Sequence, residues 1–102
     1  MPGFHYWPGA PDDVSYLANM HRHLFLIIVG WKVALDNNRS VEFHTAQGWI
    51  KKLYTDPQNF GPKSCEMIAK DLGTLLVANG HPQPSFIEVW EDGENGSKVE
   101  FA

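Results

Sequence analysis

The pattern of apolar and polar positions predicts two strands in the first third of the chain. Residues 4–7 have the aromatic composition of a short strand, and the Pro-Gly-Ala-Pro sequence that follows interrupts regular structure. Residues 20–33 contain a long run of β-branched and aromatic side chains, which predicts a second, longer strand. The Asp-Asn-Asn-Arg sequence at 36–39 is a strong turn signal, and residues 40–43 are predicted to be extended.

Apolar residues next recur at helical spacing in two segments, which predicts one helix over residues 46–54 and a second helix after Ser64. Thr45 and Ser64 have the hydroxyl side chains that suit N-caps. The core-facing stripes consist of Trp49, Ile50 and Leu53 in the first helix, and of Cys65, Ile68, Leu72, Leu75 and Leu76 in the second. This spacing assigns Cys65 to the core rather than to chemistry.

The C-terminal part of the chain predicts a β-hairpin. Residues 86–91 and 98–101 have strand composition, and a Gly- and Asn-rich turn at 92–96 joins them. The predicted order is therefore strand, strand, helix, helix, strand, strand, with no internal repeat. We expect a single α+β domain over residues 1–102, with a four-stranded antiparallel sheet and two helices on one face.

Composition adds the size and surface chemistry of this domain. The 102 residues, 43% of them hydrophobic and 20% charged, have the balance of one ordinary globular domain. Four tryptophans, six phenylalanines and three tyrosines are many for this length, which indicates a subunit interface or a pocket for a flat ligand. The net charge of −4 argues against nucleic-acid binding, which needs a basic face to displace counterions from phosphates.

Cysteine content and hydropathy bear on the compartment. Cys65 is the only cysteine, so the chain forms no internal disulfide, which fits a reducing compartment. The longest apolar run, at 24–29, is too short to cross a bilayer, and the first residues lack the basic-then-apolar order of a signal peptide. The sequence therefore predicts a cytoplasmic protein that binds neither membranes nor nucleic acids.

Three histidines form a candidate metal site. His21 and His23 are two residues apart on a predicted strand, so their side chains project from the same face. His5 lies in the preceding strand and is expected to reach the same ion. Three imidazoles and an open fourth position are typical of a catalytic or ligand-binding Zn²⁺ site, and three imidazoles also suit iron and nickel ions. The same spacing also fits histidines on a surface or interface. His44, next to the first predicted helix, is a weak candidate for a general base, and His81 is expected to be exposed.

Several short motifs resemble the 6-pyruvoyl-tetrahydropterin synthase and 6-carboxytetrahydropterin synthase family, whose fold is the T-fold. His5 matches the histidine of the family's first strand, and residues 21–25 (His-Arg-His-Leu-Phe) resemble the His-Gly-His and aromatic residue that begin its second strand. Residues 40–43 resemble the stretch ending in Asp-Phe before helix one. Residues 64–69 resemble the Pro-Thr-x-Glu-Asn-x-Ala sequence of helix two, and residues 87–91 resemble the late Val-x-Val-x-Glu strand.

This resemblance implies roles for individual residues. By it, His5, His21 and His23 bind Zn²⁺, Glu91 anchors the ring of a pterin or purine-like ligand, and Glu66 is a further ligand-binding residue. A carboxylate suits this anchoring role because it accepts hydrogen bonds from an amino group and an adjacent ring N–H together. Without the resemblance, Glu91 fits a solvent-facing carboxylate at a strand end.

The resemblance also implies an activity and an assembly. The activity is that of a lyase acting on dihydroneopterin triphosphate or a close relative, on the route to a tetrahydropterin or to a 7-deazaguanine base such as that of queuosine. In the family, subunits pair edge to edge into a trimeric β-barrel, and two barrels stack. We therefore expect a homo-hexamer, with a trimer as the alternative, and ligand sites between subunits.

The sequence departs from the family in the residues that transfer protons. Active members carry a cysteine shortly before His-x-His, whereas residues 15–20 contain none. They also carry an Asp-His pair between the helices, whereas residues 54–60 contain no histidine. Conceivable replacements are His44, Asp12, Asp13 and Tyr16.

Three functions are consistent with these losses. The first is a compact lyase with non-standard acid–base residues. The second is a catalytically inactive T-fold module that binds or sequesters a purine- or pterin-like molecule, a reduced form that would fit a phage protein. The third is a structural protein in which the metal only stiffens a small domain.

Overall fold

The computed structural model describes residues 1–32 and 43–102. The turn predicted at 36–39 lies outside the described residues, as do residues 40–42 of the predicted extended stretch. Within the described residues the fold is α+β, as predicted. The elements in chain order are β1 (Pro2–His5), a 3₁₀ helix (Asp12–Ala18), β2 (His21–Gly30), α1 (Phe43–Leu53), β3 (Gln58–Asn59), α2 (Cys65–Ala78), β4 (Phe86–Glu91) and β5 (Asn95–Glu100).

The sheet is mixed and has five strands in the order β3-β1-β2-β4-β5. The predicted four-stranded antiparallel sheet is therefore wrong in one respect, because β3 pairs with β1 in parallel. β3 has two residues and no alternation of apolar and polar side chains, so the sequence gives no strand signal there. Backbone contacts create the pairing: the Phe60 N–H donates to the Phe4 carbonyl, and the Tyr6 N–H donates to the Gly61 carbonyl.

Several element ends also differ from the predictions. β1 ends at His5 rather than at residue 7, because the chain turns away towards the 3₁₀ helix that the sequence pattern did not predict. α1 begins at Phe43 rather than at residue 46, so Phe43 is helical and not extended. The predicted cap of α2 is confirmed, since the Ser64 hydroxyl accepts a hydrogen bond from the Met67 N–H at 3.2 Å.

One face of the sheet carries the core. Phe25 of β2 and Ile87 and Val89 of β4 are almost fully buried there. The buried stripe of α2, which consists of Cys65, Ile68, Ala69, Leu72 and Leu76, packs into the same cluster. The partly buried residues Trp49, Ile50 and Leu53 of α1 pack against it as well. Both helices therefore cover this face, in agreement with the predicted stripes except at Leu75, which was assigned to the core but is 38% exposed. No helix in the described residues is long and apolar enough to cross a membrane.

Strand register brings the candidate site residues to one end of this core face. His5 lies directly opposite His21 across the β1–β2 ladder. Glu91 lies opposite Phe25 across the β2–β4 ladder. Phe25 is two residues after His23 on β2, so Glu91 projects from the same face of the sheet as His23. The core-facing alternation that buries Phe25 therefore also directs the three imidazoles and the Glu91 carboxylate towards the beginning of α2.

Candidate metal centre

The three histidines predicted from the sequence lie together. Ring centroids of His5 and His21 are 4.4 Å apart, and those of His21 and His23 are 4.9 Å apart. One ligand atom from each of the three residues lies within 4.8 Å of the others. His5 is buried, with 6% of its surface exposed, and the other two are half-buried. Among the described residues, these three form the group that could hold a metal ion.

Each imidazole is oriented by an acceptor at its Nδ1 atom. His5 Nδ1 is 2.9 Å from the Lys63 carbonyl oxygen, and His21 Nδ1 is 2.9 Å from the Asn19 carbonyl oxygen. His23 Nδ1 is 2.7 Å from Asp92 Oδ2. A carbonyl or carboxylate oxygen only accepts, so in each neutral ring Nδ1 carries the proton and Nε2 presents a bare lone pair. Histidines that bind metals are held in this way.

Asp92 owes its position to the hairpin turn. It has a positive φ of 55° and precedes Gly93, the Asp-Gly sequence favoured in tight hairpins. Its second carboxylate oxygen accepts the Leu24 N–H at 2.8 Å, which ties the turn to β2 beside His23. These contacts, with help from His23, lower the pKa of Asp92 below its ordinary value. Asp92 is therefore charged at neutral pH and fixes the tautomer of His23.

The Glu91 carboxylate lies against the bare side of two of these rings. Its Oε1 atom is 2.9 Å from His5 Nε2, and its Oε2 atom is 3.5 Å from His23 Nε2. Neither Nε2 atom has a hydrogen-bond partner, although both are buried. In the neutral tautomers these contacts place lone pairs against a carboxylate, an arrangement that only a proton or a metal cation makes favourable.

The pKa values of His5 and Glu91 shift in opposite directions. Burial lowers the pKa of His5, but contact with Glu91 and with the Lys63 carbonyl raises it by more, so the net shift is upward. Contact with His5 lowers the pKa of Glu91 despite the opposing effect of burial. In the absence of metal, the site therefore favours an imidazolium–carboxylate pair.

The donor set fits a zinc-type ion. Tetrahedral zinc with Zn–N distances of about 2.0–2.1 Å places its ligand atoms roughly 3.4 Å apart. The three ligand atoms lie within 4.8 Å of one another, so each has to move by less than about 1 Å, within the reach of small side-chain rotations. Because the Nδ1 contacts already select the required tautomer, His5, His21 and His23 are the residues that would hold the ion.

A cavity of about 370 Å³ opens beside this cluster. Its walls include His5, His21 and Glu91, the aromatic residues Tyr6 and Trp7, and the polar residues Ser64, Asn95 and Ser97. This volume is within the range of small-molecule sites in proteins. Two of the three candidate metal ligands, His5 and His21, therefore face a space in which a small molecule with a flat apolar body and polar edges fits.

Cys65 also lines this cavity, which the sequence analysis did not anticipate. It belongs to the buried core, as predicted, but its Sγ atom is 3.5 Å from Glu91 Oε1. Burial, reinforced by the neighbouring Glu91, raises the pKa of Cys65 to about 12. The group is therefore a thiol at neutral pH, which donates a hydrogen bond and does not act as a base.

The remaining candidate residues lie elsewhere. Glu66 is 60% exposed, forms an ion pair with Lys70 at 3.2 Å and does not line the cavity. His44 is exposed on α1 and is not part of the histidine cluster. The exposed residues of the 3₁₀ helix include Asp12, Asp13 and Tyr16. His81, expected to be exposed, is half-buried because its ring stacks on Trp49 at 4.1 Å.

The His5–Glu91 pair makes the stability of the metal-free protein depend on pH. Because folding lowers the pKa of Glu91, this carboxylate adds to the free energy of unfolding, and the full contribution is present above pH 4.5, its ordinary pKa. The contribution is lost as the pH falls through the lower pKa of the folded state. Because folding raises the pKa of His5, this imidazole also adds to the free energy of unfolding, and the full contribution is present below pH 6.5, its ordinary pKa. The contribution is lost as the pH rises through the higher pKa of the folded state. We expect Glu91→Gln to lower the melting temperature of chelator-treated protein most between pH 4.5 and 6.5.

Circular dichroism melts across the pH range measure this difference. At alkaline pH the difference should vanish, because a glutamine amide can donate to the bare His5 Nε2 atom where the carboxylate cannot. Glu94→Gln, an exposed carboxylate of the same hairpin, is the matched control and should show no such pH profile. A destabilisation by Glu91→Gln that is equal at all pH values would contradict the pairing.

Comparisons with known proteins identify no family for this chain, so the function has to be inferred from the geometry of the site. No protein-family model matches the chain, and no curated protein matches it.

Proposed function

We propose that this chain is a zinc-dependent protein similar to the 6-pyruvoyl- and 6-carboxy-tetrahydropterin synthases, and that it acts on or binds a pterin such as dihydroneopterin triphosphate. The observation that carries the proposal is the convergence of three imidazoles, each with Nδ1 engaged by an acceptor, two of which, His5 and His21, line a cavity. This arrangement supports a metal centre that a small ligand reaches, rather than a closed structural site.

The cavity walls suit a flat heterocycle with a polar side chain. Bound zinc would supply a Lewis acid that polarises oxygen atoms of the ligand. Tyr6 and Trp7 offer aromatic surface for the ring, and Trp7 is 48% exposed. Ser64 and Asn95 offer hydrogen bonds to its edges. The free, buried thiol of Cys65 fits a cytoplasmic location for the protein.

A second candidate is a binding module without turnover, and one observation favours it. Abstraction of a proton next to a carbonyl needs a base within hydrogen-bond reach of the ligand. The 3₁₀ helix, which occupies the segment where the family carries its cysteine, contributes Leu17 to the cavity wall. Cys65 is in the cavity but remains a thiol at neutral pH. This chemistry supports ligand capture more directly than catalysis.

Metal content tests the centre itself. Protein purified without an affinity tag should contain about one zinc ion per chain by mass spectrometry, because three oriented imidazoles match the three protein ligands of a catalytic-type zinc site. His21→Ala should lose the metal, and His44→Ala, which removes an exposed histidine outside the cluster, should keep it. Native protein that takes up no zinc after treatment with the free ion would overturn the proposal.

Ligand binding and turnover separate the two candidates. We expect dihydroneopterin triphosphate to bind to the zinc-loaded protein in calorimetry, and binding should be lost on zinc removal or in His21→Ala. Product formation followed by chromatography would assign the lyase activity, whereas binding with unchanged ligand would assign the capture role. If the zinc-loaded protein neither binds nor converts the compound, both candidates fail.

We also propose that the protein assembles as a hexamer, or as a trimer, through its sheets. The face of β2 opposite the core exposes Leu24, Leu26 and Ile28, which are 61%, 52% and 39% exposed. Such a continuous apolar stripe is unfavourable in water and suits burial against other copies of the chain. Edge strands β3 and β5 offer backbone groups for pairing between subunits.

Light scattering on protein separated by size tests the assembly. The native chain should elute with six, or three, times the mass of one chain. Leu26→Lys should shift the mass towards that of the single chain, because it places a charge on the apolar stripe. Val77→Lys is the matched control, since Val77 is also exposed, at 50%, but belongs to α2. A native protein that is monodisperse as a monomer would rule the assembly out.

A further inference from the structure

Glu91 contacts two of the three candidate metal ligands and was assigned no role in metal binding by the sequence. Its two carboxylate oxygens each face a different imidazole nitrogen, Oε1 towards His5 and Oε2 towards His23. Both nitrogens are buried and without hydrogen-bond partners, and the Nδ1 contacts leave both without a proton in the neutral rings. A carboxylate packed against two bare nitrogen atoms is favourable only if a proton or a metal cation lies between them, and a single metal ion can serve both nitrogens at once.

We infer that Glu91 is a direct ligand of the metal, so that the ligand-free centre has a three-histidine, one-glutamate coordination shell. This inference rests on the proposed zinc site and changes the role of Glu91 from anchoring the ring to closing the coordination shell. The Glu91 carboxylate contacts two of the three candidate ligands, His5 and His23, at the Nε2 atoms that would bind the ion, although it is not itself part of the three-histidine group. Carboxylate oxygen is an ordinary zinc ligand at about 2.0–2.2 Å.

Cys65 acquires a role in the same arrangement. Its thiol lies 3.5 Å from Glu91 Oε1, and as a donor it orients the carboxylate in the way that outer hydrogen bonds orient metal ligands. The Cys65 backbone lies at the beginning of α2, directly after the Ser64 cap, so the thiol has a fixed position. Cys65 is therefore a positioning residue that acts through Glu91.

Cobalt substitution and zinc titration test the inference on the chain of 102 residues. Metal-free native protein, Glu91→Gln and Glu94→Gln are titrated with Zn²⁺ against a chromophoric chelator. The visible spectrum of each Co²⁺ form then reports coordination number and ligand type. We expect Glu91→Gln to bind Zn²⁺ more weakly by about 100-fold or more, since loss of an outer hydrogen bond alone weakens metal binding by about 10- to 100-fold. The Co²⁺ spectrum should also change, because the variant loses a charged ligand. Glu94→Gln, an exposed hairpin residue, should match the native protein in both measurements.

The Cys65 variants test the positioning role. Cys65→Ala should weaken zinc binding by about 10-fold and shift the Co²⁺ spectrum, as loss of an outer hydrogen bond does. Cys65→Ser, which keeps a donor at the same place, should restore both. If Cys65→Ser and Cys65→Ala lose stability equally and leave the Co²⁺ spectrum unchanged, Cys65 is only a core residue and the positioning role is wrong.

Infrared difference spectra of the native protein provide a measurement that needs no variant. Addition of Zn²⁺ to metal-free protein labelled with ¹³C-glutamate should shift the labelled carboxylate stretching bands. Unshifted bands, or Glu91→Gln with zinc affinity within about 3-fold of native and the same Co²⁺ spectrum, would overturn the inference while leaving the three-histidine site intact. If the native protein binds no zinc, the proposed function fails, and the inference fails with it.

Discussion

The candidate site depends on the register in which β1, β2 and β4 pair. His5 reaches the cluster because it stands directly opposite His21, and Glu91 reaches it because it stands opposite Phe25. A slip of one residue in either ladder would turn a whole strand's side chains to the other face. The buried core face, with Phe25 at 1% exposure, makes such a slip costly. The apolar packing that stabilises the fold therefore also fixes the geometry of the polar site.

Placing three histidines and Glu91 together at the edge of the core destabilises the fold electrostatically, and the neighbouring hydrogen-bond acceptors offset only part of this cost. Backbone carbonyls and Asp92 satisfy the Nδ1 atoms, but they leave bare Nε2 atoms of His5 and His23 buried without partners. A buried polar atom without a partner destabilises a fold by about 1–3 kcal/mol. Either a proton, which forms the imidazolium–carboxylate pair of His5 with Glu91, or a metal cation makes this arrangement favourable, and the second is the state that the proposed function requires.

Local patterns predicted the parts of the site that depend on neighbours in sequence. The two-residue spacing of His21 and His23 was enough to place both on one face, and the Ser64 hydroxyl was enough to locate the start of α2. The contacts of Asp92 with His23 and of Cys65 with Glu91 join residues 69 and 26 positions apart. No periodicity encodes such contacts.

The fold shows the same division between local and long-range information. Strand β4 was predicted with its observed bounds because it is rich in β-branched and aromatic residues and precedes a Gly- and Asn-rich turn. Strand β3 was missed because its two polar residues are extended only through backbone pairing with β1. Cys65 was assigned to the core because a helical stripe specifies which side of a helix faces inward. The stripe does not specify that the first inward position of α2 meets the end of β4.

Glu91 cannot hold a metal and the edge of a ligand ring at once, because both roles use the same two oxygen atoms. In the described structure these oxygens face His5 and His23, so a carboxylate free to accept hydrogen bonds from a ring first has to leave the imidazoles. A ligand whose own oxygens bind the metal removes this obstacle, since it takes over the vacated coordination position. In the proposed centre, ligand binding and metal coordination would then be coupled through one side chain, and compounds that offer a metal-binding oxygen and a hydrogen-bonding ring edge together would bind best.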